Sequence, residues 1–249
     1  MWGLLFPRSE RLGMKIGFVL IGTNKYIELV ENCIASLRKH VKIPGAQLEF
    51  VVLTDRVYYL ADAPDTSSYY VDHLPWPLIT LLRYYNFSKY SYAFDGFDYV
   101  YYIDADMLAV GDIGIEIIGN RVACQHPGLW GRKASQMPFE RNPRSTAFMV
   151  TGEEYTKYFF GALQGGSREE FLKMSKILSE RITADLKENR IAIWHDESQM
   201  NRYFHENPPD KILGLDFAHV CKWFGDPIAG QTKIVALDKD HNEFRKEMY

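Results

Sequence analysis

Little in this chain points to a large charged partner or to lipid. Lys and Arg total 29 against 32 Asp and Glu, a formal net charge of −3, with both signs mixed along the sequence. A general nucleic-acid binder needs a basic excess to neutralise phosphates. That class is excluded, and a small anionic ligand would have to be met by a local cluster or a metal ion. Cysteine is scarce: Cys33, Cys124 and Cys221 are odd in number and far apart. They make neither a metal-ligand pattern nor a disulfide framework, which suits a reducing, cytoplasmic setting. No apolar run is long enough for a membrane helix. The opening "MWGLLFPRSERLG" is too short even for a signal core, and 1–13 reads as a leader or expression remnant. Repeats and low-complexity linkers are missing too, so 14–249 reads as one soluble domain.

What is present is a core. Apolar residues make up 47% of the chain and aromatics 14%. "KIGFVLIG" (15–22) is a short β-branched run ending at Gly22, which suits a buried strand. Ile27, Val30, Ile34, Leu37 and Val41 follow at helical spacing. "LEFVVLTD" (48–55) is a second strand, and strand, helix, strand with short connections opens a mostly parallel sheet. Residues 56–75 look irregular, and 76–94 reads as one helix with Pro77 in its first turn. "FDYVYYIDAD" (97–106) is apolar on both faces, as a central strand would be. Beyond about 121 the pattern loosens: "QHPGLWGRKASQMPFERNPRS" and "GALQGGS" read as loops around helices near 168–181 and 197–206, and the tail from 232 is charged. The expected class is α/β, a mostly parallel central sheet flanked by helices. Ligands of such sheets bind at the carboxyl ends of the strands, where Gly22–Tyr26, Thr54–Asp55 and Asp104–Asp106 are expected.

Two stretches could carry chemistry. In an extended segment Asp104 and Asp106 would point to one face, and a hard divalent cation would relieve their repulsion. Asp-x-Asp also arises by chance in chains of ordinary composition. "WHDESQMNRYFHENPP" (194–209) is more specific. Asp196 and Gln199 form a capping-box pattern, Met200, Tyr203 and Phe204 give the inward face, and Asn207-Pro208-Pro209 stops the helix. A carboxylate at a helix N-terminus stays ionised, which suits a nucleophile for an electrophilic sugar carbon. Trp194 reads either as a sugar-stacking ring or as core, and His195 as a surface histidine.

"YYIDADM", "HPGLWG", "FERNPRSTAF", "YFFGALQGGS" and "IWHDES" together resemble glycosyltransferase family 6, the family of the histo-blood-group A and B transferases and α1,3-galactosyltransferases. The likeness covers about 14–246, and the chain looks like the short soluble form found among bacterial and phage-type members. It implies a GT-A fold, Rossmann-like in its nucleotide-binding half, and a retaining transferase. Galactose or N-acetylgalactosamine would move from a UDP-sugar to the 3-hydroxyl of a β-galactoside. By this resemblance Asp104 and Asp106 hold Mn²⁺ or Mg²⁺ against the donor diphosphate. Ile21, Gly22, Thr23 and Tyr26 take uracil and ribose, although "IGTNKY" departs from the family spelling. Arg83, Gly161, Ala162 and Asp196 lie near the donor sugar, and Glu197 matches the proposed nucleophile. His126 and Trp194 match acceptor contacts, and Lys239 and Arg245 match a basic pair closing over the diphosphate. Without the resemblance, that tail reads as a solvated charge run. "HPGLWG" points to a fucosylated acceptor, Fucα1,2Gal, and Ala162 to UDP-galactose. Two other readings stand beside this one: an inactive sugar- or nucleotide-binding protein, and a glycoside hydrolase with paired carboxylates.

Overall fold

The computed structural model describes residues 13–60, 62–129, 131–150 and 157–239. Nearly all of the expected leader, Trp130 of "HPGLWG" and Arg245 therefore lie outside the described residues. Strand β1 (Met14–Ile21) runs into helix α1 (Tyr26–His40), and β2 (Ala46–Thr54) returns parallel to β1. β3 (Thr66–Tyr70) pairs parallel to β2, inside the segment expected to be irregular. Its "TSSYY" is half-exposed at a sheet edge and carries little apolar alternation to reveal it.

The helix expected over 76–94 is interrupted. α2 (Leu78–Leu81) ends at Leu82, whose φ of −89° and ψ of 10° leave the helical region, and α3 (Arg83–Lys89) begins directly after it. That break lets Leu81 and Arg83 both turn inward. β4 (Tyr99–Ile103) is central, with two apolar faces as its composition requires. It is followed by β5 (Met107–Ala109) and β6 (Arg121–Gln125).

β7 (Phe159–Ser167) includes "GALQGGS", which its glycines made look like a loop. The glycines answer to packing instead. A Cβ on Gly165 would lie 2.3 Å from the Val100 carbonyl oxygen, and Gly166 has φ +142° with its Cβ position 2.1 Å from the Asn120 oxygen. Among the described residues β7 is the one antiparallel strand of the large sheet, wedged between β4 and β6. Helices α4 (Arg168–Lys187) and α5 (His195–Glu206) and strand β8 (Lys211–Leu213) complete a seven-stranded sheet of order β3-β2-β1-β4-β7-β6-β8. One apolar cluster fills the α1 face, with Ile16, Leu20, Ile27 and Ile34, and another the α3–α4–α5 face, with Tyr84, Phe87, Phe171 and Phe204.

A small second sheet decides where the tail goes. β9 (His219–Val220), the short helix α6 (Cys221–Phe224) and β10 (Ile234–Ala236) lead back to β5, which β10 pairs in antiparallel fashion. The Leu237 N–H then donates to the Asp106 carbonyl at 2.8 Å, so the chain passes directly over the two acids.

A strand glycine changed to alanine is usually neutral or stabilising through the unfolded chain. At Gly165 the contact with backbone reverses the sign. Gly165→Ala should lower stability by roughly 1–3 kcal/mol, measured by urea denaturation; an unchanged or raised midpoint would show that β4 and β7 have slack there.

Candidate active site

The carboxyl ends of β1 and β4 open into a cavity of about 470 Å³ lined by Ile21, Thr23, Tyr26, Arg83, Asp104, Asp106 and Lys239, with His73, Trp76 and Thr80 on the α2 side. Gly22 is not in the wall. Its N–H donates to the Leu53 carbonyl, and a Cβ there would strike Val30 at 2.3 Å, so it lets α1 close on β1.

Asp104 and Asp106 both face this cavity, but from a turn rather than from an extended strand. β4 stops at Ile103, and the Met107 N–H donates to the Asp104 carbonyl at 3.1 Å. The turn gives each acid a cation, while Asp106 still adds to burial in pushing the Asp104 carboxyl up. Asp104 lies 3.5 Å from Arg83 Nη1 and accepts the Tyr102 hydroxyl. Asp106 accepts from Lys239 Nζ at 2.5 Å. Burial pushes the Asp104 carboxyl up and Arg83 opposes this; with 32% of its side chain open, the push is weaker than on a sealed acid. Lys239 also sits over the Tyr26 ring at 4.6 Å. Lys239 is thus paired, and not part of a solvated charge run.

Arg83 is the centre of the site. It is 4% exposed, and its Nε meets Asp196 Oδ2 at 3.0 Å while its guanidinium lies 4.4 Å over the Tyr102 ring. Burial works against its charge, but Asp196, Tyr102 and Asp104 outweigh that and raise its pKa. Asp196 is equally sealed, at 4% exposure, and burial lifts it to about 6 against the pull of Arg83. It is not a cap. The N-cap position is Trp194, and the reciprocal bond there runs from Trp194 N–H to Ser198 Oγ at 3.0 Å. His195, at φ +51°, turns the chain so that Asp196 points inward.

A second cavity, about 660 Å³, is lined by His126, Gly128, Leu129, Arg132, Trp194, Glu197, Trp223 and Phe224. Trp194 is 49% exposed and so is not core. Burial and the nearby Arg132 charge depress His126 to about 4, which leaves it neutral near pH 7. Glu197 keeps some exposure to this cavity, but Oε2 accepts the Gly161 N–H at 2.8 Å. Burial raises Glu197 to about 7, opposed chiefly by that N–H. The buried Tyr158 hydroxyl also faces the carboxylate closely enough to favour its charge, although it falls short of hydrogen-bond geometry.

Gly161 joins the two cavities. Its carbonyl accepts from Arg83 Nη1 at 3.0 Å and its N–H is held by Glu197. A Cβ at Gly161 would fall 3.0 Å from Glu197 Oε2, so a side chain there would push the carboxylate back by a few tenths of an ångström. Ala162 is 4% exposed within the α1-side core, lines neither cavity, and accepts the Asp104 N–H at 2.9 Å. Sequence reading missed His73, Trp76 and Tyr158, and Trp223 and Phe224 of the second cavity. Tyr158 opens "YFFGALQGGS" and could have been read from that motif; His73, Trp76, Trp223 and Phe224 sit in none of the quoted motifs.

An α/β sheet whose carboxyl edge carries paired acids and a buried Arg–Asp pair, with a further carboxylate across one glycine, is laid out for group transfer. The chain belongs to glycosyltransferase family 6, whose family model matches residues 4–246. It is similar to the globoside alpha-1,3-N-acetylgalactosaminyltransferase 1 of Gallus gallus, 27% identical over 242 residues, covering 94% of this chain and 70% of the relative. It is also similar to the histo-blood group ABO system transferase 2 of Rattus norvegicus, 25% identical over 240 residues, covering 92% and 71%. The O-antigen biosynthesis glycosyltransferase WbnI of Escherichia coli is 29% identical over 212 residues, covering 81% and 86%. The protein is a hexosyltransferase with a GT-A-like fold. Among the described residues no helix is long and apolar enough to cross a membrane.

The raised pKa of Glu197 has a thermodynamic sign. Between about 4.5 and about 7 the folded state keeps a proton that the unfolded chain releases, so stability falls as pH rises through that window. Glu197→Gln removes this loss. Its advantage over wild type should grow from pH 4.5 to 7, by at most about 1.4 kcal/mol per pH unit, and then level. Parallel urea curves across that range would contradict it.

Proposed function

We propose that the protein is a retaining α1,3-glycosyltransferase that moves galactose from UDP-galactose to the 3-hydroxyl of a β-galactoside, Fucα1,2Gal being the preferred acceptor. The observation that carries this is Gly161, held on one side by the donor-cavity Arg83 and on the other by the acceptor-cavity Glu197. Uracil and ribose lie along Ile21, Thr23 and Tyr26, with the diphosphate over the Asp104–Asp106 turn. The donor sugar extends past Arg83 and Asp196 toward Gly161.

A divalent cation fits that turn. Two carboxylates share it, and no group of three His, Cys, Asp or Glu that could hold a metal occurs among the described residues. This set suits a hard ion that keeps its other places for phosphate oxygens and water. Asp104 and Asp106 would hold Mn²⁺ or Mg²⁺, which when bound neutralises the departing diphosphate. Lys239 already neutralises Asp106, and it transfers to the diphosphate, joined by Arg245. Arg83 holds a fixed positive charge beside the breaking C1–O bond. Glu197 either attacks C1 or stabilises the oxocarbenium face. The Gly161 bond on Oε2 restrains that oxygen and leaves Oε1 for the sugar. Trp194 presents an aromatic face to the acceptor, and neutral His126, whose Nδ1 accepts the Gly128 N–H at 3.1 Å, has its Nε2–H to donate to a hydroxyl oxygen.

UDP release with UDP-galactose and a Fucα1,2Gal acceptor should require a divalent cation, and Asp106→Asn should remove most of it by leaving the diphosphate poorly neutralised. Full turnover in excess EDTA, or equal rates on unfucosylated lactose, would refute the corresponding part of the proposal.

Donor choice rests on Ala162, next to Gly161 and bonded through its carbonyl to the Asp104 N–H. Its methyl is packed in the α1-side core and lines neither cavity, so it would act on the C2 substituent through the Gly161–Ala162 backbone that it holds in place, by no more than the about 1–3 kcal/mol, roughly ten- to a hundredfold, of an overpacked pocket. Wild type should prefer UDP-galactose, and Ala162→Gly should shift the ratio of rates toward UDP-N-acetylgalactosamine. An unmoved ratio would place selectivity elsewhere in the pocket.

A further inference from the structure

β4 ends at Ile103, opposite Leu163, and the Asp104 N–H makes the last main-chain bond to β7 at Ala162. Upstream of that point β7 has lost its neighbour on this side, and the main-chain groups of Gly161 and Phe159 would be left open. Side chains of α5 take the place of the strand. Glu197 Oε2 accepts from Gly161 N–H at 2.8 Å. Asn201 Oδ1 accepts from Phe159 N–H at 2.8 Å, while its Nδ2 donates to the Phe159 carbonyl at 3.0 Å. His205 Nε2 donates to the Lys157 carbonyl at 2.9 Å.

The three rungs share one geometry. Residues 197, 201 and 205 form a stripe at i, i+4, i+8 along the helix, about 6 Å apart. Residues 161, 159 and 157 alternate along extended chain, about 6.6 Å apart. The two repeats nearly match, so α5 lies against β7 as a substitute strand running in the opposite sense. Asn201 is the middle rung and the one that engages both main-chain groups of a single residue. It is fully buried, and Nδ2 also donates to the Glu197 carbonyl at 3.0 Å, closing the rung onto the turn that carries the carboxylate.

We infer that Asn201 is a positioning residue for Glu197: it fixes the register of α5 on β7 so that the Glu197 carboxylate meets Gly161 N–H, with His205 as the outer rung. The inference rests on the proposed role of Glu197 at the reacting carbon. A carboxylate displaced by even part of an ångström loses alignment with C1, whereas donor binding, held by the other cavity, is untouched. Asn201 acts on turnover and not on nucleotide affinity.

Asn201→Asp tests this. It keeps the shape and the acceptor for Phe159 N–H but sets an oxygen against the Phe159 and Glu197 carbonyls. The purified variant should bind UDP within about twofold of wild type by calorimetry, leave the donor KM nearly unchanged, and lower kcat roughly ten- to a hundredfold. In a Glu197→Gln background the same change should have little further effect, since residues acting as a unit are not additive. A folded Asn201→Asp enzyme with wild-type kcat, or an equal loss in the Gln background, overturns the inference. If Asn201→Asp does not fold, His205→Ala, at a partly exposed rung, should lower kcat about two- to fivefold, and His205→Gln, which keeps a donor for Lys157, should restore it; no loss on His205→Ala overturns the inference by the same measure. Wild-type turnover in Glu197→Gln alone would instead overturn the reading of Glu197 on which the ladder depends.

Discussion

The site depends on one buried cation. Arg83 is sealed among Asp196, Asp104, the Tyr102 ring and the Gly161 carbonyl. Removing one partner of such a buried ionic set costs about 3–5 kcal/mol, mainly because the charges left behind lose their compensation. Arg83 therefore reaches all the parts that the chemistry needs together: the turn with the paired acids, the start of α5 and the open stretch of β7. The break at Leu82 between α2 and α3 starts the second helix at this arginine. A continuous helix would spend those positions on surface and core alternation.

From that charge the two carboxylates of α5 acquire different characters. Asp196 is ion-paired and held near 6, while Glu197, one residue on, is carried toward 7 by burial and is opposed mainly by a backbone N–H. Adjacent helical residues point about a quarter-turn apart, so neighbours in sequence serve different cavities. Asp196 meets Arg83 of the first cavity and Glu197 faces the second cavity with Trp194. Gly161 on β7 leaves the Glu197 carboxylate room to reach its N–H; a Cβ there would stand 3.0 Å from Oε2. Small residues along β7 thus mark close approach: Gly161 to an acid, Gly165 to a strand, Gly166 to the loop before β6.

The tail illustrates a different balance. β10 is only three residues long and owes its position to pairing with β5. That pairing is enough to carry Lys239 onto Asp106 and the Tyr26 ring. The lysine occupies the place where a cation is wanted, so the acids are neutralised before any ligand arrives. The modest net charge of the whole chain agrees with this local solution.

Local pattern was enough for α1, β1, β2, β4 and the existence of α4 and α5, because their apolar periodicities are strong and each buries a face. It was also enough for the family, through "YYIDADM", "YFFGALQGGS" and "IWHDES", and therefore for most of the candidate site by residue type. Local pattern failed where a neighbour overrides propensity. "GALQGGS" forms a strand because β4 and Asn120 leave no room for a side chain, and "TSSYY" forms one because β2 offers an open edge. Asp196 looks like a cap in sequence, but Arg83, 113 positions away, draws it inward. The sequence by itself determined which chemical groups this protein has and in what order. Which acid pairs with which cation, and which carboxylate stays open to a substrate, was decided only when the sheet brought Arg83, Gly161 and α5 to one edge, because burial and pairing are properties of neighbours in space.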